Sequence, residues 1–67
     1  MTKGKAIPTD VYDKDGNMTK IEFNDGKGEF ILQFLWDERD DQTSENRIVF
    51  RKWAYKWMED KGWDIAK

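Results

Sequence analysis

The hydrophobic residues of this 67-residue chain change their spacing once, and that change limits the folds it can adopt. From Ile7 to Trp36, apolar and polar residues alternate with a period of two, which is typical of β-strands. From about Ser44 to Lys61, the spacing becomes that of an amphipathic helix. A polar, acidic connection, residues 37–45, separates the two parts. This order predicts strands followed by one helix in an α+β domain.

The first turn in the alternating part is the segment DKDGN, residues 13–17. We interpret residues 14–16 as a three-residue hairpin loop with Gly16 in the left-handed conformation. Asp13 then lies opposite Asn17. The register continues through the pairs Val11–Thr19, Thr9–Ile21 and Ile7–Phe23. All of these side chains then share one face of the sheet.

The second turn is the segment NDGKG, residues 24–28, in which Asp25-Gly26 predicts a two-residue type I′ turn. This turn predicts the pairs Phe23–Gly28, Ile21–Phe30 and Thr19–Leu32, and it adds Phe34 and Trp36 to the same apolar face. Two turns that extend one face favour a three-stranded antiparallel β-meander.

The helix has signals at both ends. Thr43 or Ser44 can cap its N-terminus, and Gly62 is suited to the position after its C-terminus. The residues that share one helical face, and that we expect to pack on one face of the meander, are Phe50, Trp53, Ala54 and Trp57, flanked by Val49 and Met58. After the helix, Trp63 and Ile65 predict either a short fourth strand or an extended tail packed on the core. Pro8 lacks an N–H group, so the first strand is expected at an edge of the sheet.

Composition limits the class of protein. Aromatic residues make up 15% of the chain and the net charge is only −2, which favours a folded domain over a disordered chain. We expect one small domain, residues 1–67, with a flexible N-terminus, residues 1–5. The chain has no Cys and no His, which removes thiolate metal ligands and the commonest general base. We therefore predict a soluble, cytoplasmic protein that is not an enzyme, requires no cofactor and does not enter a membrane.

The segment beginning at Asp13 also resembles the start of an EF-hand calcium loop, with Asp13, Asp15 and Asn17 at ligand positions. However, Met18 stands where the loop needs Gly, and Asn24 stands where it needs a bidentate Glu. We therefore predict a turn and no metal site. The acidic connection has two readings, a divalent-metal or phosphate-mimicking site and a solvated loop before the helix; we favour the loop. Its carboxylates are Asp37, Glu38, Asp40, Asp41 and Glu45.

Two surfaces are candidates for binding another protein. One is the second face of the sheet, which we expect to carry Tyr12, Met18, Ile31 and Leu35 and to be exposed, unless Trp63 and Ile65 fold over it. The other is the outer side of the helix, with Ile48, Arg51 and Tyr55. A basic patch on the same side, formed by Arg47, Arg51, Lys52, Tyr55 and Lys56, is the candidate nucleic-acid interface.

We expect a small non-enzymatic binding module that modulates or inhibits a partner. The partner is either another protein or a second copy of the chain in a homodimer. Nucleic-acid binding is the alternative, and the sequence pI of about 5.0 makes it the less favoured one. The small size, the absence of Cys and His, and the content of Trp and Lys resemble small accessory proteins of bacteriophages; no motif accompanies this resemblance.

Overall fold

The computed structural model describes residues 3–66. Its elements are the strands β1 (Gly4–Tyr12), β2 (Met18–Asn24) and β3 (Phe30–Leu35), the helix α1 (Ser44–Asp60) and the strand β4 (Trp63–Ile65). The four strands form one sheet in the order β3-β2-β1-β4, in which β1, β2 and β3 are antiparallel and β4 runs parallel to β1. The predicted α+β fold, a β-meander followed by a helix, is confirmed, and the C-terminal segment forms a fourth strand.

The first turn is the predicted three-residue loop. The Asp13 N–H donates to the Asn17 carbonyl at 2.8 Å, and Asp13 Oδ1 accepts the N–H groups of Asp15 and Asn17 at 2.9 Å each. Gly16 has a φ of 83°, in the left-handed region that glycine adopts without strain. The Asp13 carboxylate therefore organises the turn itself.

The second turn repeats this arrangement and differs from the prediction. Asp25 takes the role of Asp13: its N–H donates to Glu29 at 2.8 Å, and its Oδ1 accepts the N–H groups of Lys27 and Glu29 at 2.8 and 2.9 Å. Gly28 has a φ of 86°. The loop is therefore residues 26–28, and the predicted two-residue turn at Asp25-Gly26 is wrong.

A β-bulge reverses the predicted faces of β1. Tyr12 pairs with Met18 but Val11 pairs with Lys20, so Thr19 is an extra residue in β2. The pairing continues as Asp10 with Ile21, Thr9 with Glu22 and Pro8 with Phe23, and the predicted pairs Val11–Thr19, Thr9–Ile21 and Ile7–Phe23 are wrong. Because a shift by one residue moves every side chain to the other face, Ala6 is buried and Ile7 is exposed.

The register of β3 also differs. An irregularity between Phe23 and Asn24 pairs Asn24 with Phe30, and Phe30, which we predicted on the core face, is 59% exposed. Ile21 pairs with Phe34 and Phe23 with Leu32, in place of the predicted Ile21–Phe30, Phe23–Gly28 and Thr19–Leu32. Between Leu32 and Trp36 the shift is by an even number of residues, so these side chains keep their predicted face. Phe34 and Trp36 are therefore buried on the helix side as predicted.

The helix begins and ends where the sequence indicated. Of the two candidate caps, Thr43 is the one used: its hydroxyl accepts the Asn46 N–H at 3.0 Å. At the other end, Gly62 follows the C-cap with a φ of 96°, and its N–H donates to Glu59 at 3.0 Å.

The helix is rotated about its axis relative to the prediction. Ala54 and Met58 are its fully buried residues, and Phe50 and Tyr55 are partly buried beside them. Trp53 and Trp57, which we expected in the core, lie on one flank of the helix and are exposed. The core cluster consists of Ala6, Met18, Ile21, Phe23, Phe34, Trp36, Ala54, Met58 and Ile65.

Pro8 and β4 together define one side of the sheet. β4 pairs with β1 only over Gly4–Ala6, so β1 is internal there and lies at an edge from Pro8 onward. The edge position predicted for Pro8 is thus correct for that part of the strand. Ile65 is buried in the core, and β4 does not fold over the second face of the sheet.

The acidic connection is held against the sheet at two points. Trp36 Nε1 donates to the Asp40 carbonyl at 3.2 Å. The Gln42 side-chain amide accepts from the Met18 N–H and donates to the Met18 carbonyl, both at 2.9 Å. The Gln42 side chain thus pairs with the backbone of Met18 beyond the end of β3, just before the N-cap of α1.

Candidate protein-binding surface

β3 lies at an edge of the sheet, and from Leu32 to Leu35 it is a regular strand that pairs only with β2. The Trp36 N–H donates to Thr19 of β2 at 2.9 Å, and since backbone groups alternate in direction along a strand, those of Gln33 and Leu35 point away from β2. The strand FILQFL contains no charged residue and no proline. Natural edge strands usually carry such residues because an open edge can pair with another chain. The open edge of β3 is therefore available for backbone pairing.

The free part of the β1 edge is different. The Ala6 carbonyl accepts the Ala66 N–H at 3.0 Å, so the next residue that points in this direction is Pro8. Pro8 has no N–H to donate, and the following residue in this series is the charged Asp10. This edge is thus blocked by two of the features that natural proteins use against strand pairing.

One flank of α1 extends the β3 edge with large apolar side chains. Val49, Trp53 and Trp57 are 62%, 54% and 37% exposed. They are exposed because Ala54 and Met58 are the helix residues buried against the sheet, which leaves Val49, Trp53 and Trp57 on the flank of the helix. Trp53 and Trp57 both contact the buried Phe34 of β3 edge-to-face, with ring centroids 5.2 and 5.4 Å apart.

We name the free edge of β3, together with Leu35, Val49, Trp53 and Trp57, the aromatic edge surface. Leu35 is 67% exposed. A groove of about 260 Å³ runs between the end of β3 and the first half of α1. It is lined by Leu35, Trp36, Asp37, Asp40, Asn46, Val49, Phe50 and Trp53. The arrangement offers open backbone groups beside large aromatic side chains, and tryptophan is enriched where protein partners bind most tightly.

The groove has a polar end. Asp37 accepts from Arg39 Nη2 at 2.9 Å and from the Arg39 backbone N–H at 3.0 Å, and these bonds hold the pKa of the Asp37 carboxyl below its usual range. Asp40 lines the same end, where its backbone carbonyl accepts from Trp36. The acidic residues thus border the aromatic edge surface and leave its centre apolar.

The predicted exposed sheet face is only partly as expected. Met18 is 1% exposed and belongs to the core, because the bulge at Thr19 turns it toward the helix. Tyr12, although 45% exposed, also lies on the helix side, with its ring beneath the guanidinium of Arg47 at 5.9 Å. Their predicted place on the second face is wrong. Ile31 packs partly against the core, and Leu35 is exposed as predicted.

Only part of the predicted outer surface of the helix is exposed. Ile48 is 47% exposed, as expected. Arg51 instead faces the sheet, where its Nε donates to Asp10 Oδ2 at 2.8 Å and its Nη2 to the Tyr12 hydroxyl at 3.3 Å. The bond to Asp10 is the largest reason that the pKa of Arg51 is raised. Tyr55 packs edge-to-face on Phe23, and burial raises the pKa of its hydroxyl.

The predicted basic patch is not continuous. Arg47 donates to the Gly16 carbonyl and to Gln42 Oε1, both at 3.2 Å, and like Arg51 and Tyr55 it is turned toward the sheet. Lys52 and Lys56 are exposed. The expectation that all five residues share the outer face is therefore wrong for three of them.

The acidic side chains are the candidates for holding a metal ion. Between Lys3 and Ala66, no group of three or more Asp, Glu, His or Cys residues is arranged to hold a metal ion. A second groove, of about 300 Å³, lies between the first turn and the acidic connection, with Asp13, Glu38 and Asp40 among its lining residues. One oxygen of Asp13 is already engaged by two backbone N–H groups.

Comparison with models of known protein families, with curated protein sequences and with solved structures finds no match to this chain. Over residues 3–66, the helix is not long and apolar enough to cross a membrane.

The hydrophobic pattern of the helix did not predict that Val49, Trp53 and Trp57 are exposed. A signal was present in the helix itself, since Arg47, Arg51, Ala54, Tyr55 and Met58 also recur at helical spacing. That stripe places an alanine at its centre and two arginines beside polar partners, those of Arg51 on β1 and those of Arg47 in the first turn and the acidic connection. Hydrophobicity alone favoured the tryptophans, and so it selected the neighbouring stripe.

Proposed function

We propose that this protein is a small non-enzymatic binding module that engages another polypeptide through the aromatic edge surface. The observation that carries the proposal is the open, uncharged edge of β3 beside the exposed Trp53 and Trp57. Such a surface suits addition of an extended segment: backbone hydrogen bonds supply affinity, and the side chains beside the edge supply specificity.

Binding at this surface modulates or inhibits the partner by covering one of its extended segments. The absence of Cys is in keeping with a reducing compartment such as the cytoplasm, where the partner is expected. A role as an accessory protein of bacteriophage type is part of the same proposal, supported by composition alone.

Site-specific photo-crosslinking tests the proposal. A photoreactive amino acid replaces Trp53 in one variant and Ile48 in a control variant, in cells that express the protein. The two positions lie on the same helix with similar exposure, 54% and 47%, but Ile48 is outside the aromatic edge surface. We expect polypeptide adducts from position 53 and few from position 48. Equal yields from the two positions would show that the aromatic edge surface is not the binding site.

Nucleic-acid binding is a second candidate because Trp53 is exposed between Lys52 and Lys56 on the sequence. An exposed tryptophan flanked by lysines can stack on an unpaired base and contact phosphates. This candidate predicts that a single-stranded oligonucleotide quenches tryptophan fluorescence at low salt, and that the effect weakens as salt increases. Unchanged fluorescence at low salt, where phosphate contacts are strongest, rules it out.

A further inference from the structure

We propose that the polypeptide bound at the aromatic edge surface is a second copy of this chain, in a homodimer whose two β3 strands pair antiparallel. The inference rests on the proposed function, because it names the partner at the same surface. Its basis is the self-complementarity of β3, the area exposed beside it, and the blocked edge on the opposite side of the sheet.

The backbone of β3 can pair with itself. The N–H and C=O groups of Gln33 point to the free edge, as do those of Leu35. In an antiparallel pair centred on Gln33, each Gln33 lies opposite its equivalent and Leu32 lies opposite Phe34 of the second copy. This relation is a two-fold axis, the commonest symmetry of homodimers. β3 itself carries no charge, so within the paired strands no like charges lie opposite each other.

The side chains on the helix side follow the same symmetry. Phe34 is adjacent to Gln33 and contacts both Trp53 and Trp57. An axis at Gln33 therefore brings the tryptophan flanks of the two helices together above the joined sheets. Residues that are exposed in one copy become covered by the other.

The exposed area is sufficient for a dimer. Leu35, Val49, Trp53 and Trp57, with Phe30 at the start of β3, are each between 37% and 67% exposed. Since each of the three aromatic side chains presents roughly 150–250 Å², and Leu35 and Val49 somewhat less, these five expose on the order of 500 Å² in each copy. Two copies together then offer about 1,000 Å², before the strand backbones are counted, which is the lower limit for a specific interface and corresponds to a weak dimer.

The opposite side of the sheet stops the assembly at two copies. There the edge consists of the three-residue β4 and the part of β1 that carries Pro8 and Asp10. Very short strands, prolines and charges all oppose pairing. Joining the β3 edges thus gives a dimer with one continuous eight-stranded sheet, four strands from each copy. The assembly ends there and does not extend into a filament.

Sedimentation equilibrium on the purified protein from about 10 µM to 1 mM tests the inference, since this range covers weak dimers. Two pairs of variants locate the contact, each checked for folding by circular dichroism. Trp53→Lys is compared with Ile48→Lys, a matched charge on the other flank of the helix. Gln33→Pro, which removes an N–H at the free edge only, is compared with Gln33→Ala.

We expect a concentration-dependent dimer for the unmodified chain, for Ile48→Lys and for Gln33→Ala. Trp53→Lys and Gln33→Pro should each raise the dissociation constant at least about tenfold, because the change occurs twice at the interface centre. A monomer over the whole range, or a dimer that either variant leaves intact, overturns the strand-paired dimer.

The crosslinking experiment separates this inference from the proposed function. Adducts of this chain with itself at position 53 support both. Adducts only with other polypeptides support the proposed function and overturn the homodimer. Because one surface serves both partners, raising the concentration of this chain should also reduce its adducts with any other polypeptide.

Discussion

Arg51 of the helix donates from Nε to Asp10 Oδ2 of β1 at 2.8 Å, so this side of α1 faces β1. The Nη2 atom of the same guanidinium reaches the Tyr12 hydroxyl at 3.3 Å. With Arg51 turned to β1, the opposite flank of the helix lies over β3. A polar contact at β1 is thus accompanied by the exposure of Trp53 and Trp57 on the β3 side of the helix.

The pair should contribute a modest coupling energy. Both side chains are partly exposed, 32% for Arg51 and 25% for Asp10, so solvent weakens the attraction. A double-mutant cycle with Arg51→Met and Asp10→Asn, measured by urea unfolding, should give a coupling of about 0.5–1 kcal/mol. Glu59→Gln, at an exposed helix position, is the control and should change stability little. A coupling near zero would show that packing of Ala54 and Met58 alone orients the helix.

The two hairpins show which parts of the fold can be predicted from the sequence and which cannot. The element types, their order and the first turn were predictable, because alternation and the Asp13-to-Gly16 spacing are local signals. The same spacing recurs from Asp25 to Gly28, but the Asp25-Gly26 dipeptide pointed to a shorter turn. The bulge at Thr19 was missed because strict alternation has no place for an extra residue, although Met18 and Ile21, both apolar and three apart, hinted at one.

Replacing Gly28, which ends the second loop, should destabilise the fold more than replacing Gly26. Gly28 has a φ of 86°, so Gly28→Ala should destabilise the fold by about 1–2 kcal/mol, the cost of the left-handed conformation for other residues. Gly26 is its matched control in the same loop, with open space around it and no left-handed φ. Gly26→Ala should leave the free energy of unfolding within about 0.5 kcal/mol of its original value. If the two variants were equally stable, the three-residue loop would be the wrong description of this turn.

The helix shows the limit of reasoning from hydrophobicity. The stripe that faces the sheet includes Arg47 and Arg51, whose polar partners on other elements, Gly16, Gln42, Asp10 and Tyr12, are invisible to a helical projection. Because these arginines face the sheet, the tryptophans lie on the flank of the helix. Sequence reasoning could place the helix on the sheet but could not select between two adjacent faces.

The rotation of the helix predicts which truncations matter for stability. Met58 is fully buried, so Met58→Ala should cost about 2–4 kcal/mol in the free energy of unfolding. Trp53 is 54% exposed, so Trp53→Ala should cost clearly less, despite the larger side chain removed. Thermal and urea unfolding of both variants, measured at a concentration where the protein is monomeric, provide the comparison. The reverse ranking would place Trp53 in the core, as hydrophobicity alone suggests.

Calcium should not stabilise the first turn. The Asp13 carboxylate is engaged by the N–H groups of Asp15 and Asn17, and Met18, which would occupy the glycine position of a calcium loop, is buried. The melting temperature measured with excess calcium should therefore match that measured with a chelator. Magnesium at the same concentration controls for general ionic effects, and a rise specific to calcium would restore the metal-binding interpretation.

Tyr55 should make the fold sensitive to alkaline pH. Burial, and next the charge of Asp10, raise the pKa of its hydroxyl above the ordinary value of 10.0, while Arg51 partly opposes them. The unfolded chain therefore loses this proton first. The stability that Tyr55 contributes is fully present below pH 10.0 and is lost as the pH rises through its higher pKa in the folded state. Unfolding measured between about pH 9 and 11 should show a smaller loss of stability for Tyr55→Phe, which keeps the ring against Phe23, than for the unmodified chain. Tyr12→Phe, at the more exposed tyrosine, is the control, and equal losses in Tyr55→Phe and the unmodified chain would show that Tyr55 does not contribute to alkaline unfolding.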